Sequence, residues 1–139
     1  MTRYLLDTNV VSEVRKLRPH GAVVAWLSSL APEQILISAV TIGELQIGVE
    51  LTRRQDPAKA NEIESWLAMV ESTYAIVPMD AACFREWGRI MMKRSGTIDA
   101  DAMIAATARV HGLSVATRNE KDFKHLGVDI ANPFKMGIR

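Results

Sequence analysis

The feature that most restricts the fold of this chain is a series of short apolar runs, each too brief for a helix and each followed by a helical stretch. They are Tyr4-Leu5-Leu6, Gln34-Ile35-Leu36-Ile37-Ser38, Ala75-Ile76-Val77 and Ser114-Val115-Ala116-Thr117, with a smaller fifth run at Val128-Asp129-Ile130. Near-continuous apolar character marks strands covered on both faces. Strands joined through helices must largely run parallel, because a parallel pair needs a long crossover. The pattern therefore predicts an α/β protein with a mainly parallel central sheet of four to five short strands flanked by helices.

The intervening stretches carry helical signals. Thr8 or Asn9 is placed to cap a helix running to Lys16, with Val10, Val11 and Val14 apolar. Apolar periodicity predicts further helices over 22–30, 40–54 and 58–70, with Asp56-Pro57 separating the last two. Asp80 is placed to cap a helix to about Arg94, broken by Ser95-Gly96. The stretch Thr97-Ile98-Asp99-Ala100-Asp101-Ala102-Met103-Ile104-Ala105-Ala106-Thr107-Ala108 then opens a last long helix, ending at His111-Gly112. Trp26, Trp66 and Trp87 fall at helical spacing, which makes them core or dimer contacts rather than base-stacking platforms. No repeat, low-complexity tract or linker interrupts the 139 residues, so residues 1–139 are expected to form one domain.

Composition adds exclusions. The sole cysteine, Cys83, cannot form an internal disulfide, which fits a reducing cytoplasm. The N-terminal apolar run meets Asp7 too soon for a signal peptide, and no run approaches a membrane span, so no membrane association is expected. A net charge of +1 gives no global attraction for nucleic acid. Basic residues do gather locally at Arg15, Lys16 and Arg18, at Arg53 and Arg54, at Lys93 and Arg94, and at Arg118, Lys121 and Lys124. Around an acidic centre such clusters would frame phosphates.

Such a centre is expected from topology. Ligands of open parallel sheets collect at the carboxyl ends of the strands. Asp7 ends the first strand, Glu44 lies on the first turns of the helix after the second, and Asp122 follows the fourth by five residues. The helix bearing Asp101 leads into the fourth strand and so begins at the same edge. Four converging carboxylates raise one another's pKa unless a cation sits between them, and an oxygen-only set suits Mg²⁺ or Mn²⁺. His20, His111 and His125 are too scattered for zinc. Asp99 and Asp101 stand about 200° apart on a helix and cannot both face that centre, so Asp99 is expected to cap the helix while Asp101 points inward. Singly, each acid also has an ordinary reading: Asp7 as a turn or cap residue, Glu44 as a surface glutamate, Asp122 as a cap for Phe123-Lys124.

Four stretches in order resemble the PIN-domain family, and more narrowly its VapC/FitB-type toxins of bacterial toxin–antitoxin pairs. They are Leu5-Leu6-Asp7-Thr8-Asn9, Ser38-Ala39-Val40-Thr41-Ile42-Gly43-Glu44-Leu45, Asp101-Ala102-Met103-Ile104-Ala105-Ala106-Thr107-Ala108 and Thr117-Arg118-Asn119-Glu120-Lys121-Asp122-Phe123. The resemblance implies a PIN-like three-layer fold and a Mg²⁺- or Mn²⁺-dependent endoribonuclease that hydrolyses RNA through metal-activated water. It also implies a homodimer, and a small antitoxin that blocks the site and takes the complex to operator DNA. By motif match Asp7, Glu44 and Asp101 stand as core metal-binding acids and Asp122 as the fourth. Thr8, Asn9 and Thr117 match supporting polar positions, and Arg118 is a phosphate anchor by its charge. Asp99 and Glu120 are additional acids beside the motifs. The region 40–70, with its exposed Leu and Ile, is the expected antitoxin surface. Three other readings stay open: a PIN-type nuclease of RNA processing, a phosphotransferase using Asp7 as nucleophile, and a catalytically silent DNA-bound regulator.

Overall fold

The computed structural model describes residues 1–93 and 99–136. Its centre is a five-stranded sheet in the order β3-β2-β1-β4-β5, comprising β1 (Tyr4–Leu6), β2 (Ile35–Ser38), β3 (Ala75–Val77), β4 (Ser114–Ala116) and β5 (Ile130–Ala131). Every pairing is parallel, with Leu5 beside Leu36 on one flank and Val115 on the other. The fifth strand forms two residues later than the sequence pattern placed its start.

Alternation along the strands builds two cores. Leu5, Leu36, Val77, Val115 and Ile130 belong to one cluster, with residues of α5 (Ala81–Met91), α6 (Ala100–His111) and α7 (Glu120–Phe123). Tyr4, Leu6, Ile35, Ile37, Ile76 and Ala116 belong to the other, with α1 (Thr8–Arg15), α2 (Gly21–Ser28), α3 (Ala39–Arg53) and α4 (Pro57–Thr73). Neighbours two apart share a face, so even three-residue strands bury side chains on both sides. The result is helices, sheet, helices. Trp26 is buried, and Trp66 and Trp87 pack against the two cores, as their spacing predicts.

Several local expectations need correction. The cap of α1 is Asp7 rather than Thr8 or Asn9, its carboxylate accepting from the Thr8 amide at 2.8 Å. A carboxylate accepts without orienting a hydroxyl, and one residue earlier it also closes the strand. α4 runs through to Thr73, three residues past the predicted end, before Tyr74 leaves the helical region. α5 ends at Met91; the Ser95-Gly96 break predicted beyond it lies outside the described residues. The N-cap of α7 is Asn119, and Asp122 sits inside that helix.

Three chain features aim at one sheet edge. α1 and α3 start directly after β1 and β2, and Ser38 caps α3 by accepting from the Val40 amide. α6 begins at this edge and runs back beneath the sheet, ending at Gly112, whose φ of 66° lets the chain reverse into β4. The left-handed conformation there favours glycine. Strand order makes the gap between β1 and β4 the point where the chain's direction of build reverses, and open parallel sheets hold their ligands at such a point.

Candidate metal centre

Asp7 lies at that gap. It is 4% exposed, and its amide donates to the Ala116 carbonyl of β4 at 2.9 Å, which fixes its backbone to both central strands. Both side-chain oxygens accept: Oδ1 from the Thr8 amide, which leaves it a free lone pair, and Oδ2 from Thr117 Oγ1 at 2.8 Å and Asn9 Nδ2 at 3.0 Å. Thr117 in turn accepts from the Asn119 amide at 2.9 Å, and Asn9 Oδ1 accepts from the Arg118 amide at 3.0 Å. These bonds tie α1 to the turn after β4. Burial pushes the Asp7 carboxyl above its ordinary pKa, against the three donors that pull it down, and the negative charge of Asp122 adds to the rise.

Glu44 is held from the other side. Thr8 Oγ1 donates to its Oε1 at 2.7 Å, and the buried Thr41 hydroxyl stands 3.3 Å from Thr8 Oγ1. Thr8 has one proton and gives it to Glu44, so Thr41 is left to donate to Thr8. Thr41 was not singled out from the sequence. The available signal was its position one turn before Glu44, where residues three apart share a face.

Asp101 occupies the first turn of α6, and Asp99 is the N-cap, accepting from the amides of Asp101 and Ala102 at 3.0 and 3.3 Å. The division expected for the two acids is the one observed. The Asp101 carboxyl is pushed up to about 6, first by burial and then by the charges of Asp7, Asp99, Asp122 and Glu44. Those couplings bring Asp7, Glu44, Asp101 and Asp122 into one electrostatic neighbourhood. Glu120 stands apart: it accepts from Asn132 Nδ2 at 2.9 Å and pairs with Lys135 at 2.8 Å, tying down the tail.

Arg118 places its guanidinium 4.3 Å from the centre of the Phe134 ring, and His20 meets that ring edge-on with centroids 5.5 Å apart. Phe134 was given no role from the sequence, since that role depends on the tail folding back over α1 and the β4 turn.

The donor set fits a hard divalent cation. It is all oxygen, mutually repelling, and among the described residues no Lys or Arg forms an ion pair with any of the four acids. Among the described residues no three acidic, His or Cys side chains are gathered at ligating distance.

Fold and site together define an α/β protein with an acidic oxygen-ligand pocket at its topological switch point. Residues 4–129 match the PIN domain, and the chain belongs to the PIN-domain family, in its VapC/FitB-type branch. It is 35% identical to the VapC ribonuclease Y4jK of Sinorhizobium fredii over 94% of this chain and 97% of that protein. It is 36% identical to the toxin FitB of Neisseria gonorrhoeae, again over 94% of this chain and 97% of that protein. A solved structure of VapBC2 from Rickettsia felis bound to a DNA fragment from its promoter superposes with a TM-score of 0.78 at 26% identity, covering 94% of this chain and 98% of that one. Among the described residues no helix is long and apolar enough to cross a membrane.

Proposed function

We propose that this protein is a divalent-metal-dependent endoribonuclease, the toxin of a type II toxin–antitoxin pair, held inactive by a small antitoxin and reaching operator DNA only within that complex. What carries the reading is Asp101, a half-buried carboxyl raised first by burial and then by the charges of Asp7, Asp99, Asp122 and Glu44. Relatives named as ribonuclease and toxin, and a relative structure with promoter DNA, support the substrate and the partners.

Asp7, Glu44 and Asp101, with Asp122 as the outer member, are the residues that would hold Mg²⁺ or Mn²⁺. The bound ion would supply charge neutralisation at the phosphate, acidification of a water and stabilisation of the leaving oxygen. The chain's own part is positional. Thr117 and Asn9 orient Asp7 and favour its charged form by donating to it, Thr8 fixes the Glu44 rotamer, and the capped start of α6 fixes Asp101. Arg118, steadied on Phe134, stands ready for a flanking phosphate.

The test is to sequence RNA ends after brief induction of the wild-type chain beside Asp7→Asn, and to assay both purified proteins with Mg²⁺ and with chelator. New ends are expected with wild type alone, and cleavage in vitro only with metal. Metal-independent cleavage, or full activity of Asp7→Asn, would overturn the assignment.

A further inference from the structure

Away from the acids, a cleft of about 730 Å³ opens along the outer side of α5 and α6, with Arg89, Lys93, Arg109 and His125 at its walls and Ile90 and Leu126 at its floor. Two arginines there share one carboxylate. Glu86 Oε2 takes Arg109 Nε at 2.8 Å, and Glu86 Oε1 takes Arg89 Nη1 at 2.8 Å. One carboxylate balances one guanidinium, so the trio keeps a full positive charge. Lys93 adds another, and among the described residues neither Lys93 nor His125 has a carboxylate partner.

The arrangement is held in place. Glu86 is 15% exposed and grips Arg109, which also reaches the Leu126 carbonyl at 3.4 Å. Gly127 makes room for this: its φ is +70°, and a Cβ added there would come within 3.1 Å of Arg109 Nη1. A guanidinium already fixed loses little freedom on meeting an anion. Arg89 is 63% exposed, so it can meet a ligand while paired with Glu86 through Nη1.

We propose that this cleft is an accessory site for the RNA backbone, taking phosphates a few nucleotides from the cut. The inference rests on the ribonuclease reading and extends it. Two of the elements that carry acids of the site lead into the cleft: Asp101 and Arg109 lie eight residues apart on α6, about 12 Å along its axis, and His125 follows Asp122 by three residues. A phosphodiester chain suits it better than an acidic protein segment. The floor residues Ile90 and Leu126 are buried, at 6% and 2% exposure, so their side chains give a peptide little apolar hold beside the spread cations.

The test compares wild type with Arg89→Gln/Lys93→Gln, a pair that leaves Glu86 bound to Arg109. Substrates are purified total bacterial RNA, read at the mapped cut site, and a short synthetic RNA spanning that site alone. The double variant is expected to raise KM on the long RNA by roughly tenfold with kcat unchanged, and to flatten the salt dependence of kcat/KM by about 1.4 in slope, two contacts at about 0.7 each. The short RNA should be cut equally by both, and Arg89→Lys/Lys93→Arg should restore the long-RNA KM. An unchanged KM and salt slope would overturn the proposal, as would weakened binding of an acidic protein partner with RNA kinetics intact. If wild type cuts neither RNA, the ribonuclease reading itself fails and this one with it.

Discussion

Replacing Asp101 by Asn should stabilise the metal-free protein while removing its activity. The carboxyl rises from 3.8 to about 6 through burial and four negative neighbours, and among the described residues no donor offsets this. A shift of roughly two units corresponds to about 3 kcal/mol against the ionised form. The group is only half buried, so solvent screening reduces this to about 1.5 kcal/mol. Asn also forfeits the favourable interaction of a charge with the first turn of α6, about 0.5 kcal/mol. The net gain is about 1 kcal/mol, or roughly 3–5 °C in melting temperature for a chain of this size. The sign with pH is opposite to that of a salt-bridged acid. A folded-state pKa above the unfolded one means that the penalty is absent below about pH 4, grows as pH rises to about 6, and is complete above that. Melting curves of both proteins in chelator should therefore coincide near pH 4 and separate, with the variant higher, near pH 7.5. Added Mg²⁺ should reverse the order, because only the wild type gains binding energy. A variant less stable near neutral pH in chelator, or a gap that does not change with pH, would refute the repulsion argument.

Asp99→Ala removes two amide acceptor bonds at the start of α6 and should cost about 1 kcal/mol in urea unfolding, with RNA cleavage retained below the new midpoint. Glu13 is buried and accepts from Lys16 Nζ at 2.9 Å and the His20 amide at 3.0 Å, and these hold its carboxyl below the ordinary glutamate range. Its contribution is present above the unfolded glutamate pKa and is lost as pH falls through the folded one, so Glu13→Gln should destabilise at neutral pH and converge with wild type in acid. Thr8→Val leaves Glu44 without its 2.7 Å donor and should weaken metal binding by calorimetry several-fold while the fold melts as a unit. Hydrogen exchange with antitoxin bound should slow in α3 and α4, where Ile47 and Leu51 are 62% and 55% exposed; unchanged protection there would place the partner elsewhere.

The sheet was legible because its information is local. An apolar run such as Tyr4-Leu5-Leu6 stopping at Asp7 states both the strand and its end, and alternation with helices then forces parallel pairing. The places of the acids along the elements were legible for the same reason, since each falls at a fixed offset from a strand end or helix start. Hydrogen-bond partners across the fold were not. Thr41 reaches Thr8 over 33 residues and Thr117 reaches Asp7 over 110, and no spacing rule connects such pairs. Asp7, Thr8 and Asn9 are all good caps, so the sequence left the cap of α1 open among them, and the β1–β4 bond at Asp7 decides. The Glu86 cluster escaped notice because Arg109 joins Glu86 and Arg89 from a different helix.

The alanines of α6 complete the account of the site. Ala102, Ala105, Ala106 and Ala108 are fully buried in one cluster with Leu5 and Val115 of the central strands. Small side chains let a helix approach a sheet closely, and the same approach brings Asp101 to the end of β1. Ala105 is one turn beyond Asp101 and on its face. Ala105→Leu would add three carbons where there is no space, costing about 1–3 kcal/mol and driving the start of α6 outward. That displacement separates Asp101 from Asp7 and Glu44, so the variant should bind metal more weakly at temperatures where it is still folded. Melting in chelator gives the packing cost, and metal titration below that midpoint gives the effect on the site. A variant destabilised as predicted but with unchanged metal affinity would show that the helix yields elsewhere, and that close packing of α6 serves stability alone.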